Sequence, residues 1–232
     1  MKDKTCDIEA ESWTELEIAC LFDGEKYYYA YTPEQIVNQM IAKGGIFFAH
    51  FAGGYDNLFL LKHLRKYKLS IRNIKGQLSS IKVYYKNSNK KLFELRDSFL
   101  ILPAGLDDLI SEFNIELPIS HKQLSEYKKR RGEISKFTDK ELREYVSVDC
   151  YGLYRVIEYY LKITGKEEVG LTIAGECKKE HSNIYNIKQM MVPAYLDEFF
   201  RRSYSGGRVE VFKRHGYNLK HYDFKSMFSS VM

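Results

Sequence analysis

The sequence predicts an α/β protein in which a mixed β-sheet is flanked by helices. Its N-terminal part alternates in the manner of an antiparallel meander and then opens a well-capped helix at Thr32. The short apolar run Ile46–His50 is typical of a strand buried on both faces. A second capping box, at Thr138, opens the clearest amphipathic helix of the chain.

Turn and capping signals define the first elements. Alternation of apolar and polar residues predicts strands over residues 5–10, 15–22 and 27–31. Asp23-Gly24 is a tight-turn signal between the last two strands. The segment Thr32-Pro33-Glu34-Gln35 supplies an N-cap, a proline at the first helical position and a capping-box glutamine. This helix should run to about Lys43.

The rest of the chain continues the alternation of strands and helices. After the strand at 46–50 we expect, in order, a glycine-rich turn, a helix at 57–64, three strands within 69–102, a short helix at 106–113, a polar and basic surface excursion at 119–136, and the long helix from 138 to about 161. Glycines and mixed charges at 164–190 indicate a connecting region. A helix at 192–202, a glycine-rich loop at 203–207 and a strand at 209–213 should follow.

Composition narrows the class of protein. The 232 residues carry 36 basic and 31 acidic side chains, together with 19 Tyr and 14 Phe. Basic clusters among aromatic residues suit a polyanion such as nucleic acid, although a solvated surface explains them equally well. The four cysteines have no metal-binding spacing, which argues against zinc and for reduced thiols. Without an apolar leader or a run of about 20 apolar residues, we expect a soluble, intracellular protein.

Two carboxylates, Asp7 and Glu9, lie two residues apart on the first predicted strand. Side chains at i and i+2 of a strand share a face, and paired acids on a buried face repel unless a cation or a proton separates them. A polar strand with both acids in solvent is the alternative.

Two further acids stand in awkward places. Asp56 follows the turn Ala52-Gly53-Gly54-Tyr55. It either caps the next helix or lies where the glycines allow a backbone or a ligand to approach closely. Asp149 falls on the apolar stripe of the long helix, one turn after Tyr145, and needs a partner there; a neighbouring loop or an arginine would also serve.

These four acids together form a ligand set for hard divalent cations. Oxygen ligands suit Mg²⁺ or Mn²⁺, and two such ions can activate a water and stabilise the leaving oxygen of a phosphodiester. The sequence therefore predicts the metal-binding residues of a nuclease.

Several of these residues belong to motifs that resemble those of a known family. Asp7-Ile8-Glu9, Tyr55-Asp56 and Tyr145-x-x-x-Asp149 look like the three motifs of the proofreading 3′→5′ exonuclease in family B DNA polymerases. Three further stretches resemble the protein-primed branch of that family, which is found in linear plasmids, mitochondrial plasmids and some phages. They are Arg96-Asp97-Ser98 with Leu102-Pro103-Ala104-Gly105-Leu106, a YxGG loop at Tyr204-Ser205-Gly206-Gly207, and a first polymerase motif at Asp223-Phe224-Lys225-Ser226-Met227-Phe228.

The resemblance implies a domain order and a role for each site residue. Residues 1–163 would be an RNase H-like exonuclease domain, 164–200 a connector, and 201–232 the YxGG loop and the start of a polymerase palm. The site would hold two Mg²⁺ or Mn²⁺ ions, and Asp7 would bridge both. Glu9 and Asp149 would complete the site of the first ion, and Asp56 would hold the second. Tyr145 would orient the attacking water. The implied partners are single-stranded DNA, primer-template DNA and a terminal priming protein. DNA contacts would come from Phe51, Tyr204, Gly206 and Gly207. Lys122, between the second and third exonuclease motifs, would contact DNA or a terminal protein.

The chain also departs from the family pattern. Phe51 replaces an asparagine and Ala10 a threonine or serine that normally touch the DNA strand, and Phe228 replaces the tyrosine of the polymerase motif. Since the chain stops inside that motif, Asp223 alone cannot hold two metals, and we do not expect polymerisation by this chain alone. A catalytically silent module that binds DNA or a terminal protein is the alternative function. The location would be mitochondrial or cytoplasmic for a gene on a linear plasmid or virus.

Overall fold

The computed structural model describes residues 3–10, 15–74, 76–185 and 193–203. Their strands are β1 (Lys4–Ala10), β2 (Leu16–Phe22), β3 (Tyr27–Ala30), β4 (Ile46–Ala49), β5 (Lys68–Ile74), β6 (Gln77–Tyr84) and β7 (Lys91–Asp97). The strands form one mixed sheet in the order β3-β2-β1-β4-β7-β6-β5. The predicted N-terminal meander is confirmed, because β1, β2 and β3 pair antiparallel in sequence order.

Seven α-helices lie in the described residues: α1 (Pro33–Lys43), α2 (Asp56–Leu61), α3 (Leu106–Glu112), α4 (His121–Lys129), α5 (Asp139–Thr164), α6 (Ile173–Ile184) and α7 (Ala194–Ser203). Short 3₁₀ turns follow α2 at Lys62–Leu64 and α4 at Arg131–Lys136. None of the described helices has the length and apolar character needed to cross a membrane.

Strand β4 lies at the centre of the sheet and pairs parallel with both β1 and β7. Its Phe47, Phe48 and Ala49 are all buried. This arrangement confirms the buried strand predicted from the apolar run. Because the carboxyl end of β4 lies beside β1, the turn that follows β4 is delivered to the strand that carries Asp7 and Glu9.

The sheet is covered on both faces over its β2, β1 and β4 strands. On one face, Ala19 and Leu21 of β2 join the core that includes α1 and α2. On the other face, Ile18 and Cys20 of the same strand pack with α5. Alternate residues of β2 thus point into two apolar layers, as a strand between two helical layers requires.

Helix capping follows the predicted residues, with one difference. Thr138 and Glu141 form a complete capping box at the start of α5. At α1, the Thr32 side chain accepts from the Gln35 amide, but the Gln35 side chain accepts from the amide of Tyr31 instead of Thr32. The chain entering α1 is therefore fixed one residue earlier than in a standard box.

The segment predicted as a surface excursion at 119–136 is mostly exposed, but it is helical and contributes to the core. This segment forms α4 and a 3₁₀ turn, and it buries Leu124, Tyr127 and Ile134 against α5 and its surroundings. These apolar residues are few among many charges, so the amphipathic stripe is weak in sequence.

The chain divides into two compact units, residues 1–186 and 187–232. In the first unit the segment after α5 is attached to the sheet, since Val169 is buried and its carbonyl accepts from Arg96 Nη1 at 2.7 Å. In the second unit the helix predicted at 192–202 is confirmed as α7. The loop and strand predicted at 203–213 lie outside the described residues.

Replacing the α5 cap by Thr138→Ala should lower the free energy of unfolding by about 1 kcal/mol, because the amide of Glu141 loses its acceptor. Urea unfolding followed by circular dichroism measures this change. Thr164→Ala is the matched control at the other end of α5, where the exposed hydroxyl bonds back to the carbonyl of Tyr160. Equal losses in the two variants would contradict a specific role for the cap.

Candidate functional site

Three of the four predicted acids meet at one place. Asp7 and Glu9 of β1 and Asp149 of α5 each offer a carboxylate oxygen, and these oxygens all lie within 4.8 Å of one another. Glu9 is buried, whereas Asp7 and Asp149 are half-buried. Carboxylates at this separation repel strongly, so the cluster favours a bound cation or a retained proton.

The packing of α5 against β1 fixes this cluster. The Thr5 hydroxyl donates to the carbonyl of Cys150 at 2.8 Å, so β1 is tied to the turn of α5 that carries Asp149. The Cys150 thiol in turn donates to the carbonyl of Cys20 on β2 at 3.4 Å. Beyond the acids, the pairing register between β1 and β2 shifts between Glu9 and Ala10.

Asp56 lies beside the cluster but is not part of its closest group. Helix α2 begins at Asp56 itself, and its N-cap position is Tyr55, which makes no side-chain cap bond. The capping alternative for Asp56 is therefore wrong. Burial, together with the charges of Glu9 and Asp97, raises the pKa of Asp56 to about 7. Hydrogen bonds from the backbone of Ile8 and of Asp56 itself act in the opposite direction and lower this pKa. Its Oδ1 is buried and has no hydrogen-bond partner among the described residues.

A close backbone approach requires glycine in the turn that delivers Asp56. A Cβ on Gly53 would lie 2.7 Å from the carbonyl oxygen of Leu78 and 3.0 Å from Oδ2 of Asp97. The Gly53 amide instead donates to that same Asp97 oxygen at 2.9 Å. The glycine turn is thus held against the ends of β6 and β7, which supports the predicted close approach.

Tyr145 is held rigidly at the edge of the site. It is 1% exposed, and its ring lies 6.2 Å from that of Tyr127 and 6.3 Å from that of Phe137. Together with Asp7 and Asp149 it lines a cavity of about 490 Å³, which we call the acid cavity. The packing of the ring fixes where the hydroxyl group sits relative to the acids.

The same cavity contains residues that the sequence reasoning missed. His50, Asp107 and Lys128 line it, and Lys128 forms an ion pair with Asp107. His50 Nε2 lies 2.8 Å from the carbonyl oxygen of Ala104, which can only accept, so this nitrogen carries the proton. Burial lowers the pKa of His50. The position of His50 directly after the buried strand was the signal that could have identified it, whereas no local signal identifies Lys128.

The predicted DNA-contacting residues are distributed differently. Phe51 follows β4 with a positive φ of 57° and is 53% exposed, and its ring lies 5.0 Å from that of Phe99. Lys122 is exposed on α4 and lies in a separate recess with Gln123 and Glu126, away from the lining of the acid cavity. The remaining predicted site residues lie outside the described residues: Tyr204, Gly206, Gly207, Asp223 and Phe228.

Comparison with known sequences decides the family. The sequence model of the family described as "DNA polymerase type B, organellar and viral" matches residues 36–139 and 119–232, which is most of the chain. The chain belongs to this family.

Individual relatives of this type B polymerase chain come from a phage and a fungus. It is 29% identical over 189 residues to the "DNA-directed DNA polymerase" of Enterobacteria phage PRD1, a match that covers 81% of this chain and 30% of that protein. It is 24% identical over 235 residues to a "Probable DNA polymerase" of Ascobolus immersus, covering 82% of this chain and 20% of that protein. The chain thus spans 20% to 30% of the length of these curated relatives.

Solved structures share the fold. Phi29 DNA polymerase complexed with single-stranded DNA superposes with a TM-score of 0.67 at 18% identity, over 89% of this chain and 40% of that chain. Its complex with primer-template DNA and incoming nucleotide gives a TM-score of 0.68 at 16% identity, over 89% of this chain and 39% of that chain. The α/β class with a mixed sheet and flanking helices, predicted from the sequence, is confirmed.

The substitution Gly53→Ala should lower the free energy of unfolding by about 1 to 3 kcal/mol, because the added methyl group overlaps the backbone of β6. Chemical denaturation measures the loss. Gly132→Ala is the control, since a Cβ there meets nothing within 4 Å. A Gly53→Ala protein as stable as the control would contradict the close approach.

Without divalent ions, the raised pKa of Asp56 should make the protein less stable as the pH rises. In the unfolded chain this carboxyl ionises near pH 4, whereas in the folded protein it keeps its proton up to about pH 7. Between these values the folded state binds more protons, so the free energy of unfolding falls as the pH rises, and the full penalty is present above pH 7.

Thermal unfolding in EDTA between pH 4 and pH 8 tests this dependence. We expect Tm to fall across the range and Asp56→Asn to remove much of the decrease. Glu158→Gln serves as the control, because it removes an exposed carboxylate of α5 that is paired with Arg155. An Asp56→Asn protein with the slope of the control would contradict the raised pKa.

Proposed function

We propose that this chain carries a metal-dependent 3′→5′ exonuclease site that removes nucleotides from the 3′ end of single-stranded DNA. The observation that carries the proposal is the meeting of Asp7, Glu9 and Asp149 within 4.8 Å, with the buried Asp56 beside Glu9. Membership of the type B polymerase family and the order of the sequence motifs support it.

The donor set fits divalent metal. Four carboxylates supply the hard oxygen ligands that Mg²⁺ and Mn²⁺ prefer. Asp56 has a buried oxygen without a hydrogen-bond partner among the described residues and a pKa raised by burial, so a cation ligand position would suit this carboxylate. Asp7, Glu9 and Asp149 would hold one ion, and Asp56, with Asp7 shared between the two, would hold the second.

When bound, the ions would supply Lewis-acid activation of a water and neutralisation of the leaving 3′ oxygen. The protein's own residues position the reactants. Tyr145, with its ring fixed between Tyr127 and Phe137, would hold the attacking water through its hydroxyl group. His50, protonated on Nε2, is already bonded to the carbonyl of Ala104 and therefore contributes to the shape of the cavity wall.

The cavity suits a strand end. Its volume of about 490 Å³ is in the range of sites that enclose a small molecule, which suits a terminal nucleotide. The exposed ring of Phe51, braced by Phe99, provides a surface on which a base can stack. In this proposal Phe51 replaces a polar contact with a stacking contact, and the metal ligands remain in place.

For the whole protein we propose DNA replication by a protein-primed family B polymerase, with this chain as its proofreading part. The partners would be single-stranded DNA, primer-template DNA and a terminal protein. The YxGG loop and the first polymerase motif belong to this proposal through their sequence alone.

Degradation of a 5′-labelled single-stranded DNA in Mg²⁺ tests the exonuclease. We expect a ladder of products shortened from the 3′ end, and a rate at least about 100-fold lower for Asp7→Asn and for Asp149→Asn, since loss of even an indirect metal contact costs 10- to 100-fold. Glu158→Gln, on the same helix as Asp149, should degrade DNA at the parent rate.

Two results would contradict the proposal. Unchanged degradation by Asp7→Asn would place the activity outside this site. Absence of degradation by the parent chain, with binding to DNA retained, would favour the catalytically silent DNA-binding module, for which Ala10 and Phe51 are the sequence argument.

A further inference from the structure

One stretch of the chain carries basic residues and no acidic ones. Residues 57–93 contain ten Lys or Arg and not one Asp or Glu. The remaining 26 basic residues are outnumbered by the 31 acidic ones, so this stretch carries the whole positive excess of the protein. The stretch runs from α2 through β5 and β6 to the start of β7.

A row of paired residues shows which face of the sheet these charges occupy. Thr5 pairs with Phe48, Phe48 with Arg96, Arg96 with Ser80, and Ser80 with Arg72. Paired residues point to the same face. Since Thr5 bonds to α5, this row runs from beneath α5 to β5 at the sheet edge.

The outer part of this face is polar and positively charged. Its members on the hairpin are defined by the pairing of β5 with β6, and we call them the open face: Lys68, Ser70, Arg72, Lys82 and Tyr84. Lys68, Ser70 and Arg72 are exposed, and Lys82 and Tyr84 are partly exposed. The alternate residues Ile81 and Val83 of β6 belong to the apolar core on the opposite face.

The cations of the open face lack acidic partners. Among the described residues, Lys68, Arg72 and Lys82 form no ion pair, and Lys68 donates to the neutral side chain of Asn89 at 2.7 Å. The acid that pairs with this face, Glu94, is 1% exposed and is already neutralised by Arg96 and Lys91.

Several surface cations outside this stretch are paired with acids. Arg130 pairs with Glu141, Arg143 with Asp139, and Arg155 with Glu158. An unmatched cluster on one face produces a local positive potential that a paired surface lacks.

We propose that the open face binds the phosphate backbone of a single DNA strand. Strands lie about 4.8 Å apart, so β6 and β5 are about 14 and 19 Å from β1, on the side of the sheet that also carries Asp7 and Glu9. A strand whose 3′ end occupies the acid cavity has the open face within reach, and the Tyr84 ring offers a base-stacking surface beside the three cations. The choice of strand rests on the proposed exonuclease; the phosphate-binding surface itself does not.

Lysines on an edge strand have another use, which is to prevent pairing with the edge of a second chain. That alternative predicts that removing them causes self-association and leaves DNA binding unchanged. It does not account for Lys82, which lies on β6 inside the sheet.

Fluorescence anisotropy of a labelled 30-nucleotide single strand in EDTA tests the proposal without degradation. The variant is K68Q/R72Q/K82Q, and the matched control is K140Q/K178Q/K179Q, which removes the same charge from exposed positions of α5 and α6. Loss of three phosphate contacts should weaken binding by on the order of 10- to 100-fold at 0.1 M salt and lower the slope of log K against log salt by about 2. The control should bind within about threefold of the parent.

Equal weakening of the two triple variants would overturn the proposal, because net charge alone would then explain binding. Parent-like binding by K68Q/R72Q/K82Q, with or without self-association, would overturn it as well. If the triple variant fails to fold, Lys82→Gln against Lys140→Gln makes the same comparison. Binding is measured in EDTA, where no metal-dependent cleavage takes place, so failure of the exonuclease proposal leaves this test intact.

Discussion

The repulsion among Asp7, Glu9 and Asp149 is the constraint on which the rest of the site depends. Their oxygens lie within 4.8 Å, and Glu9 is buried, so solvent screens the charges incompletely. The bond from Thr5 to the carbonyl of Cys150 holds the carboxylates together by fixing α5 on β1. A fold that confines acids in this way is stabilised by whatever cation or proton separates them.

The sheet divides its charge between two regions of one face. The acids lie where α5 covers β1, and the unmatched cations lie on the β5–β6 hairpin. An acid cluster repels DNA phosphates, so the proposed nuclease site needs positive charge nearby to offset the repulsion. The formal charge of +5 conceals this separation, because it is the sum of a strongly basic stretch and an acidic remainder.

Much of the fold could be predicted from local signals. Three predictions rested on patterns only a few residues long, and all three are confirmed: the buried strand β4, the capping box at Thr138 and the N-terminal meander. Helix α4 was missed because its buried side chains, Leu124 and Tyr127, are dispersed among charges, and its packing depends on α5.

The acids of the candidate site could be predicted from the sequence, whereas most of the residues that surround them could not. Acids at positions predicted to be buried can be recognised in the sequence, because burying an unpaired carboxylate costs free energy. The structure brings three of the four acids together. Both Lys122 and Lys128 lie on α4, but only Lys128 lines the acid cavity. Which of the two faces the cavity depends on the rotation of α4 about its axis, which the sequence alone does not give. The catalytic roles of these residues stay a prediction.

Calorimetric titration with Mn²⁺, in buffers of different ionisation enthalpy, tests most directly whether the acids form a cation site. Because the pKa of Asp56 is raised to about 7, binding near pH 6.5 should release a fraction of a proton, and this release should vanish near pH 8.5. Asp149→Asn should lose the binding, and Glu158→Gln should retain it. Equal Mn²⁺ binding by the two variants would show that the acids of β1 and α5 do not form the site.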